Sequence, residues 1–243
     1  MSDDPATALG ADLVATAAAQ AFTRLVHFTP ARNLSHILRD GRLRSSKDLA
    51  ERAPQQFSPT DRQRFDAHPD HLCCSFEYPN AYYRHQAGQK AEYVNYPNWV
   101  ILCLEKDLVL RPGALFCGCN AATAGGSYLR PGPQALADCW ANPSIPQGLI
   151  RRATHLATTP TDLQAEVLIP GPVPLSAVTG IIVAGEAVAR EQQGILRRIH
   201  IDPDQIVWRV APVLFDKFSL TAHIHGGRVP VETIWTPDEQ DPA

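Results

Sequence analysis

Residues 24–41 read RLVHFTPARNLSHILRDG, and this stretch joins a strand signal to a helix signal. The apolar run Arg24–Thr29 has the length and composition of a buried strand. Pro30 then suits the first turn of a helix, and apolar residues recur at helical spacing between positions 34 and 38. Gly41 tolerates the left-handed conformation in which helices commonly end. The stretch therefore predicts a buried strand that leads directly into a helix.

The rest of the chain contains more short apolar runs of strand length than long amphipathic segments. The predicted strands are His71–Glu77, Trp99–Leu104, Leu163–Ile169, Val178–Ala184 and Ile206–Val210, with a helix near residues 187–198. Residues 45–70 predict a long loop with one helical turn, and residues 111–148 predict a second long loop. Short strands with few helices between them favour the α+β class over a doubly wound parallel sheet.

The sequence predicts one catalytic domain over residues 21–215. Residues 1–20 predict a ragged N-terminal extension that runs into a short helix, and residues 216–243 form a C-terminal extension. The chain has 243 residues, of which 44% are hydrophobic and 19% are charged. This is the composition of an ordinary globular protein, and the length suffices to bury a core without disulfides.

The charge balance excludes a strongly basic nucleic-acid binder, because the net charge is −3 and the pI is near 6.3. Positive charge is nevertheless concentrated locally: nine lysine and arginine residues stand against four acidic residues between Arg24 and Arg64. Most arginine-rich surfaces are simply solvated, but an excess of this kind also suits a polyanionic partner.

The six cysteines include no C-x2-C pair of the kind that zinc ribbons require. We therefore expect reduced, mostly structural thiols, a reducing compartment and no metal site. No apolar stretch approaches the ~18 residues of a membrane span, and no signal peptide is recognisable. The expectation is a cytoplasmic protein without a membrane interaction.

Two polar residues interrupt the otherwise apolar run Leu163–Ile169. If this run is a strand, Gln164 and Glu166 share one face. Polar groups side by side on an apolar strand cost free energy unless water or a ligand uses them. Two readings follow: an edge strand with one solvated face, or a catalytic carboxylate beside an amide that orients a substrate.

His27 raises the same question in the first strand. A histidine within an apolar strand is more often satisfied by a backbone partner than used to bind a ligand. Its context favours a binding role, because Thr29 lies on the same face and a helix with a polar start follows at once.

Several segments together resemble one family. His27–Leu43 is similar to the opening motif of the ADP-ribosyltransferase superfamily, in which a strand bearing His or Arg leads into a helix ending in glycine. The resemblance narrows to DarT, the toxin enzymes that ADP-ribosylate DNA bases. The segments that narrow it are Arg64-Phe65-Asp66, CCSFEYPNAYYR (Cys73–Arg84), Trp99–Asp107, Asn120-Ala121-Ala122 and LQAEVLIPGPVPLSAV (Leu163–Val178).

This resemblance implies a split β-sandwich with helices flanking the sheets, and NAD as a co-substrate bound across the cleft. Glu166 would be catalytic, bonded to the 2′-hydroxyl of the nicotinamide ribose and stabilising the oxocarbenium ion that forms. Arg64 would contact the NAD pyrophosphate and take part in catalysis, with Arg62 as its competitor for that role. The remaining cofactor contacts would come from His27 at the adenosine-side ribose, Thr29, the Phe28 backbone, Ser75 and Tyr83, with Tyr82 competing for the nicotinamide ring.

The same resemblance implies single-stranded DNA as the acceptor, because the modified base must be unpaired to enter a cleft. Gln164, Arg42 and Arg44 would bind this substrate, with Arg52 and Arg62 extending the track of positive charge. The implied partner is an antitoxin with a macrodomain that reverses the modification. Thymine and guanine both stay open as the target base.

Three other functions remain compatible with the sequence. The enzyme could modify protein or RNA, or it could only hydrolyse NAD. A module that binds NAD or nucleic acid without catalysis is a third reading, which the presence of Glu166 disfavours.

Overall fold

The computed structural model describes residues 5–52, 65–87, 89 and 98–237, and for residues 5–9 only the backbone. The helices are α1 (Pro5–Ala19), α2 (Leu34–Asp40), α3 (Ser46–Arg52), α4 (Ala81–Ala87), α5 (Pro133–Asp138), α6 (Glu186–Arg198) and α7 (Lys217–His225). The strands are β1 (Arg24–Pro30), β2 (Arg42–Leu43), β3 (His71–Phe76), β4 (Trp99–Glu105), β5 (Leu115–Cys117), β6 (Glu166–Pro170), β7 (Val173–Pro174), β8 (Val178–Val183), β9 (Trp208–Val210) and β10 (Thr233–Ile234). The predicted α+β class is confirmed.

Eight of these strands form one mixed sheet in the order β10-β9-β8-β4-β1-β3-β6-β5, and β2 pairs with β7 in a second, small sheet. The neighbouring strands are antiparallel except for β8 and β9, which are parallel and are connected through α6. A crossover helix is the usual connection between parallel neighbours.

The hydrophobic core lies on both faces of the central strands. Every residue from Trp99 to Leu104 in β4 is buried, as the continuous apolar run predicts. On one face, alternate residues of β4 pack in a cluster with α1, α2, α5 and α6; on the other, Ile101 and Cys103 pack in a cluster with α4 and α7. The sheet is therefore flanked by helices on both sides.

The predicted strand and helix at residues 24–41 are both confirmed. β1 spans Arg24–Pro30, a 3-10 turn follows at Ala31–Asn33, and α2 ends at Gly41 with φ of 67°. Glycine adopts this left-handed conformation without the steric cost that a Cβ atom would bring.

A split in the sheet follows from the unequal pairing of β1. Along its whole length β1 pairs with β4, but with β3 it pairs only at Leu25 and Val26. Beyond that point the Nδ1 atom of His27 lies 2.9 Å from the carbonyl oxygen of Cys73 and takes the place of a backbone contact. The two halves of the sheet therefore separate beside His27.

Two sequence predictions need correction. The strand predicted from Leu163 begins only at Glu166. The Asp162 carboxylate accepts a 2.9 Å hydrogen bond from the backbone amide of Gln164 and holds a turn there. Gln164 and Glu166 therefore do not share a strand face. The loop predicted over residues 111–148 contains β5 and α5; β5 is short and owes its conformation to pairing with β6 rather than to local sequence.

The predicted extensions also contain regular structure. The N-terminal one forms the 15-residue helix α1, which is longer than expected and whose Ala17 joins the core. The loop predicted over residues 45–70 contains α3, and residues 53–64 of it lie outside the described part of the chain. At the C-terminal end, α7 contacts α4, and β10 adds an edge strand to β9. None of the helices described is long and apolar enough to cross a membrane.

Candidate active site

Glu166 is the first residue of β6 and lies between two neighbouring strands. It is paired with Ser75 of β3 on one side and with Cys117 of β5 on the other. Its carboxylate accepts two hydrogen bonds: Oε2 from the backbone amide of Ala121 at 2.7 Å and Oε1 from the side-chain amide of Asn80 at 3.3 Å. Each oxygen keeps a further lone pair with which it can accept a hydrogen bond from a ligand.

The surroundings of Glu166 favour its protonated form. Burial raises the pKa of the carboxyl to about 7, although the residue is only partly buried by surface area. The hydrogen bonds from Ala121 and Asn80 oppose this shift, and the neighbouring Asp66 and Cys119 add to it. A carboxyl with this pKa changes its charge near neutral pH, which is typical of functional sites.

Asn80 positions the Glu166 carboxylate from the start of α4. Its Oδ1 atom accepts a 3.1 Å hydrogen bond from the Tyr83 amide, which caps the helix, while its Nδ2 atom donates to Glu166. Asn80 is buried, so its amide has a fixed orientation. Asn80 was not among the predicted site residues, although an asparagine directly before a helix is a recognisable capping signal.

The Asn120-Ala121-Ala122 segment supplies the second donor. Asn120 Oδ1 accepts a 3.0 Å hydrogen bond from the Ala122 amide, and this turn directs the Ala121 amide at Glu166. Cys117 and Cys119 are buried beneath it, with their sulfur atoms 3.5 Å apart. All six cysteines of the chain are free thiols.

The predicted NAD-binding residues of β1 occupy one end of the sheet split. A carbonyl oxygen can only accept, so the contact with Cys73 requires a hydrogen on Nδ1 of His27. Thr29 is buried and accepts a 2.9 Å hydrogen bond from Asn33 Nδ2. The Phe28 ring stacks on Trp99 with centroids 4.8 Å apart, so its backbone is the part left to contact a ligand.

His27, Ser75 and Glu166 lie on three adjacent strands, β1, β3 and β6. The structure therefore brings the predicted catalytic residue close to two of the predicted cofactor residues. Tyr83 lies in the first turn of the same short helix that Asn80 caps, and it packs against the core on that side. Tyr82 faces elsewhere: its hydroxyl lies 3.4 Å from Thr221 of α7.

Arg64 and Arg62 lie outside the described residues, so their predicted roles stay predictions. The adjoining Asp66 is described and is buried. Its carboxylate accepts hydrogen bonds from the His68 amide at 2.9 Å and from the Cys73 thiol at 3.4 Å. A negative charge at this place explains why Asp66 raises the pKa of Glu166.

The predicted DNA-binding residues differ in their availability. Arg44 forms ion pairs with Asp40 and Asp48, each at 2.6 Å, so two carboxylates already compensate its charge. Arg42 on β2 is exposed. Gln164 is partly buried in the turn before β6.

One group of side chains in the described part of the chain has the spacing to share a metal ion: His68, Asp70 and His71. His71 lies 2.8 Å from Asp70 through Nδ1 and 3.1 Å from the Gly113 carbonyl through Nε2. These contacts hold the turn before β3, and the hydrogen bond from His71 lowers the pKa of Asp70.

Comparison with known proteins identifies the family of the chain. The family model for DarT, described as an ssDNA thymidine ADP-ribosyltransferase, matches residues 26–212. The chain belongs to the DarT family. No curated protein sequence matches it directly.

Solved DarT structures share the fold. Thermus sp. 2.9 DarT in complex with NAD+ superposes with a TM-score of 0.53 at 18% identity, covering 80% of this chain and 98% of that one. The same enzyme in complex with ADP-ribosylated ssDNA superposes with a TM-score of 0.52 at 18% sequence identity. That match covers 76% of this chain and 96% of the other. Thermosipho africanus DarTG in complex with ADP-ribose gives 0.52 at 14%, covering 80% of this chain and 51% of that one.

Replacing Glu166 with glutamine is expected to change how stability depends on pH. The folded chain holds the Glu166 proton up to about pH 7, whereas the unfolded chain releases it near its ordinary pKa of ~4.3. The wild type therefore loses stability through this group as the pH rises from about 4.3 to about 7. The glutamine variant has no proton to release at this position and does not lose stability in this way. The unfolding free energy of the variant minus that of the wild type should increase by about 3 kcal/mol from pH 4 to pH 8.

Urea denaturation at several pH values measures this difference. Glu51→Gln is the matched control, because Glu51 is an exposed carboxylate on α3 and should show no such trend. A Glu166→Gln difference that is independent of pH would contradict the raised pKa of this carboxyl.

Proposed function

We propose that this chain transfers ADP-ribose from NAD to thymidine in single-stranded DNA. The observation that carries the proposal is the Glu166 carboxylate, held by the Asn80 and Ala121 amides beside the split between β1 and β3. Membership of the DarT family supports both the reaction and its acceptor. An inactive binding module would have no use for a carboxylate held at this cost in desolvation.

The chemistry follows from the charge that develops during the reaction. Breaking the bond between nicotinamide and ribose makes the ribose C1′ cationic. An ionised Glu166 stabilises this cation and accepts a strong hydrogen bond from the adjacent 2′-hydroxyl, whereas its protonated form has no charge to offer and is the weaker acceptor. The positive nicotinamide ring of bound NAD favours the ionised carboxylate.

The protein holds Glu166 in place before the reaction begins. Asn80 and Ala121 bond one carboxylate oxygen each, so the group cannot rotate when charge appears at the ribose. Preorganised groups of this kind contribute ~2.7–4 kcal/mol to lowering a barrier. His27, Thr29 and the Phe28 backbone are assigned to NAD, with Ser75 and Tyr83 nearer the nicotinamide end.

The acceptor base must leave the stack to enter the cleft, which favours single-stranded DNA. Of the arginines assigned to its backbone, Arg42 is better placed than Arg44, whose charge Asp40 and Asp48 already compensate. Gln164 lies two residues before Glu166 and is assigned to the acceptor. Arg64 keeps its assignment to the NAD pyrophosphate.

The biological role proposed is that of the toxin in a toxin–antitoxin pair. DNA carrying ADP-ribose on its bases would be harmful to the cell that makes the enzyme. A partner with a macrodomain that removes the modification would therefore be needed. The free thiols of all six cysteines agree with a reducing, cytoplasmic environment.

The direct test is incubation with NAD and single-stranded oligonucleotides, each lacking one of the four bases, with the products weighed by mass spectrometry. We expect ADP-ribose on every oligonucleotide that contains thymine. Glu166→Gln should lower the rate by at least about 10²-fold, because a single transition-state contact of this kind is worth that much.

Glu51→Gln serves as the charge-matched control and should retain the wild-type rate. Labelling that requires guanine would replace thymidine as the acceptor. Labelling of protein alone, or release of nicotinamide without any labelled DNA, would overturn the proposal.

NAD should raise the melting temperature of the protein, and His27→Ala should weaken this effect. A ligand that binds only the folded state stabilises it by ~2.7 kcal/mol at a hundred times its dissociation constant. His36→Ala is the control, because His36 is exposed on α2. If His27→Ala and His36→Ala responded to NAD like the wild type, His27 would have no place in the NAD site.

A further inference from the structure

The C-terminal helix α7 exposes basic and aromatic groups beside α4. The surface they form, called here the α7 surface, is lined by Tyr82, Arg152, Lys217, Phe218, Thr221 and His225. It lies at the junction of α4, α7 and the segment around Arg152. The Leu156 backbone amide and the Thr154 hydroxyl hold this segment to α7 by donating to the carbonyl oxygens of Ile224 and His225. The family match ends at residue 212, so it includes Tyr82 and Arg152 but does not reach α7.

The aromatic part of the α7 surface centres on Phe218, which is 68% exposed. Lys217 Nζ lies 4.8 Å from the centroid of the Phe218 ring and 5.1 Å from that of Tyr82. The ammonium group is therefore held between two rings. An exposed ring with a cation at its face offers both a stacking platform and a phosphate contact.

The charge of the α7 surface is positive. Arg152 is exposed and Lys217 is partly exposed, and neither forms an ion pair with any carboxylate among the described residues. The adjacent Asp216 accepts a 2.7 Å hydrogen bond from the Ser219 amide and caps α7. Burial and the neighbouring Arg152 lower the pKa of His225, so the positive charge comes from the arginine and the lysine.

One short helix connects the α7 surface to the catalytic carboxylate. Asn80, which donates to Glu166, caps α4, and Tyr82 in the first turn of that helix places its hydroxyl 3.4 Å from Thr221 of α7. A helix of seven residues is only ~10 Å long. A strand whose target base occupies the cleft can therefore reach the α7 surface within a few nucleotides.

We propose that the α7 surface binds the single-stranded DNA that flanks the target base, with one base stacked on Phe218 and the backbone phosphates at Lys217 and Arg152. The proposal rests on the proposed function, since it assumes that single-stranded DNA is the acceptor. Single-stranded DNA fits because its bases expose π-faces that a duplex keeps stacked. The paired positive charges suit phosphates spaced along a backbone.

Binding is tested without catalysis, using fluorescence anisotropy of a long single-stranded oligonucleotide that lacks thymine. The variants are Lys217→Glu, Phe218→Leu and Phe218→Tyr, and the charge-matched control is Arg198→Glu, an exposed arginine on α6 at the opposite face of the sheet. Phe218→Leu should raise the dissociation constant about five- to tenfold, which corresponds to the loss of one stacked base at ~1–1.4 kcal/mol. Phe218→Tyr and Arg198→Glu should bind like the wild type.

Transfer to thymine-containing oligonucleotides of two lengths gives the second readout. Lys217→Glu and Phe218→Leu should raise the KM for a long oligonucleotide and leave unchanged the KM for one too short to extend from the cleft to the α7 surface. The NAD-induced rise in melting temperature should stay as in the wild type, which shows that the catalytic cleft is intact.

Unchanged binding of the long oligonucleotide by both Lys217→Glu and Phe218→Leu would overturn the proposal, and the surface would then be open to a protein partner. Failure of the wild type to label any DNA would instead count against the proposed function. The two failures are distinct, because anisotropy measures binding whether or not transfer occurs.

Discussion

The rest of the site depends on the buried carboxyl of Glu166 and on the two amide groups that donate hydrogen bonds to it. Burial raises the pKa of the carboxyl to about 7, and the bonds from Ala121 and Asn80 limit that rise. Without those donors the group would be protonated at neutral pH and useless to a developing cation. In the proposed reaction, the turn at Asn120 and the start of α4 therefore position the carboxylate, although neither carries a reacting group.

The sheet makes this arrangement possible through an incomplete pairing. β1 stays with β4 along its length but leaves β3 after Val26, which opens a cleft with His27 on one side and Ser75 and Glu166 on the other. The central β4 is buried on both faces and provides the rigid frame. An open cleft is thus combined with a core that fixes the distances between its walls.

Much of this could be predicted from the sequence, because it shows the continuous apolar run Trp99–Leu104 directly, and because the apolar residues between 34 and 38 recur at helical spacing after the strand that begins at Arg24. The strand β5 could not be predicted, since three residues have no period and depend on pairing with β6. The prediction that Gln164 and Glu166 share a strand face was wrong, because the Asp162 side chain holds a turn that the alternation of side chains along a strand does not reveal. The ion pairs of Arg44 could not be predicted, because they depend on side-chain conformations. The capping signal of Asn80 is visible in the sequence, but only the fold shows that this residue contacts Glu166.

In the proposed reaction Glu166 acts as an anion, and its amide donors oppose the rise in its pKa that burial causes. The most direct measurement is the rate of ADP-ribose transfer to a thymine-containing single strand at saturating DNA, across pH 5–9, for the wild type and Asn80→Ala. We expect a kcat/KM for NAD that rises with pH and reaches half its maximum near pH 7 in the wild type, because only the ionised carboxylate is active. We expect a higher midpoint in Asn80→Ala, because one bond to the ionised form is lost. A profile without a rise near neutral pH, or equal midpoints in the two proteins, would contradict this role of Glu166.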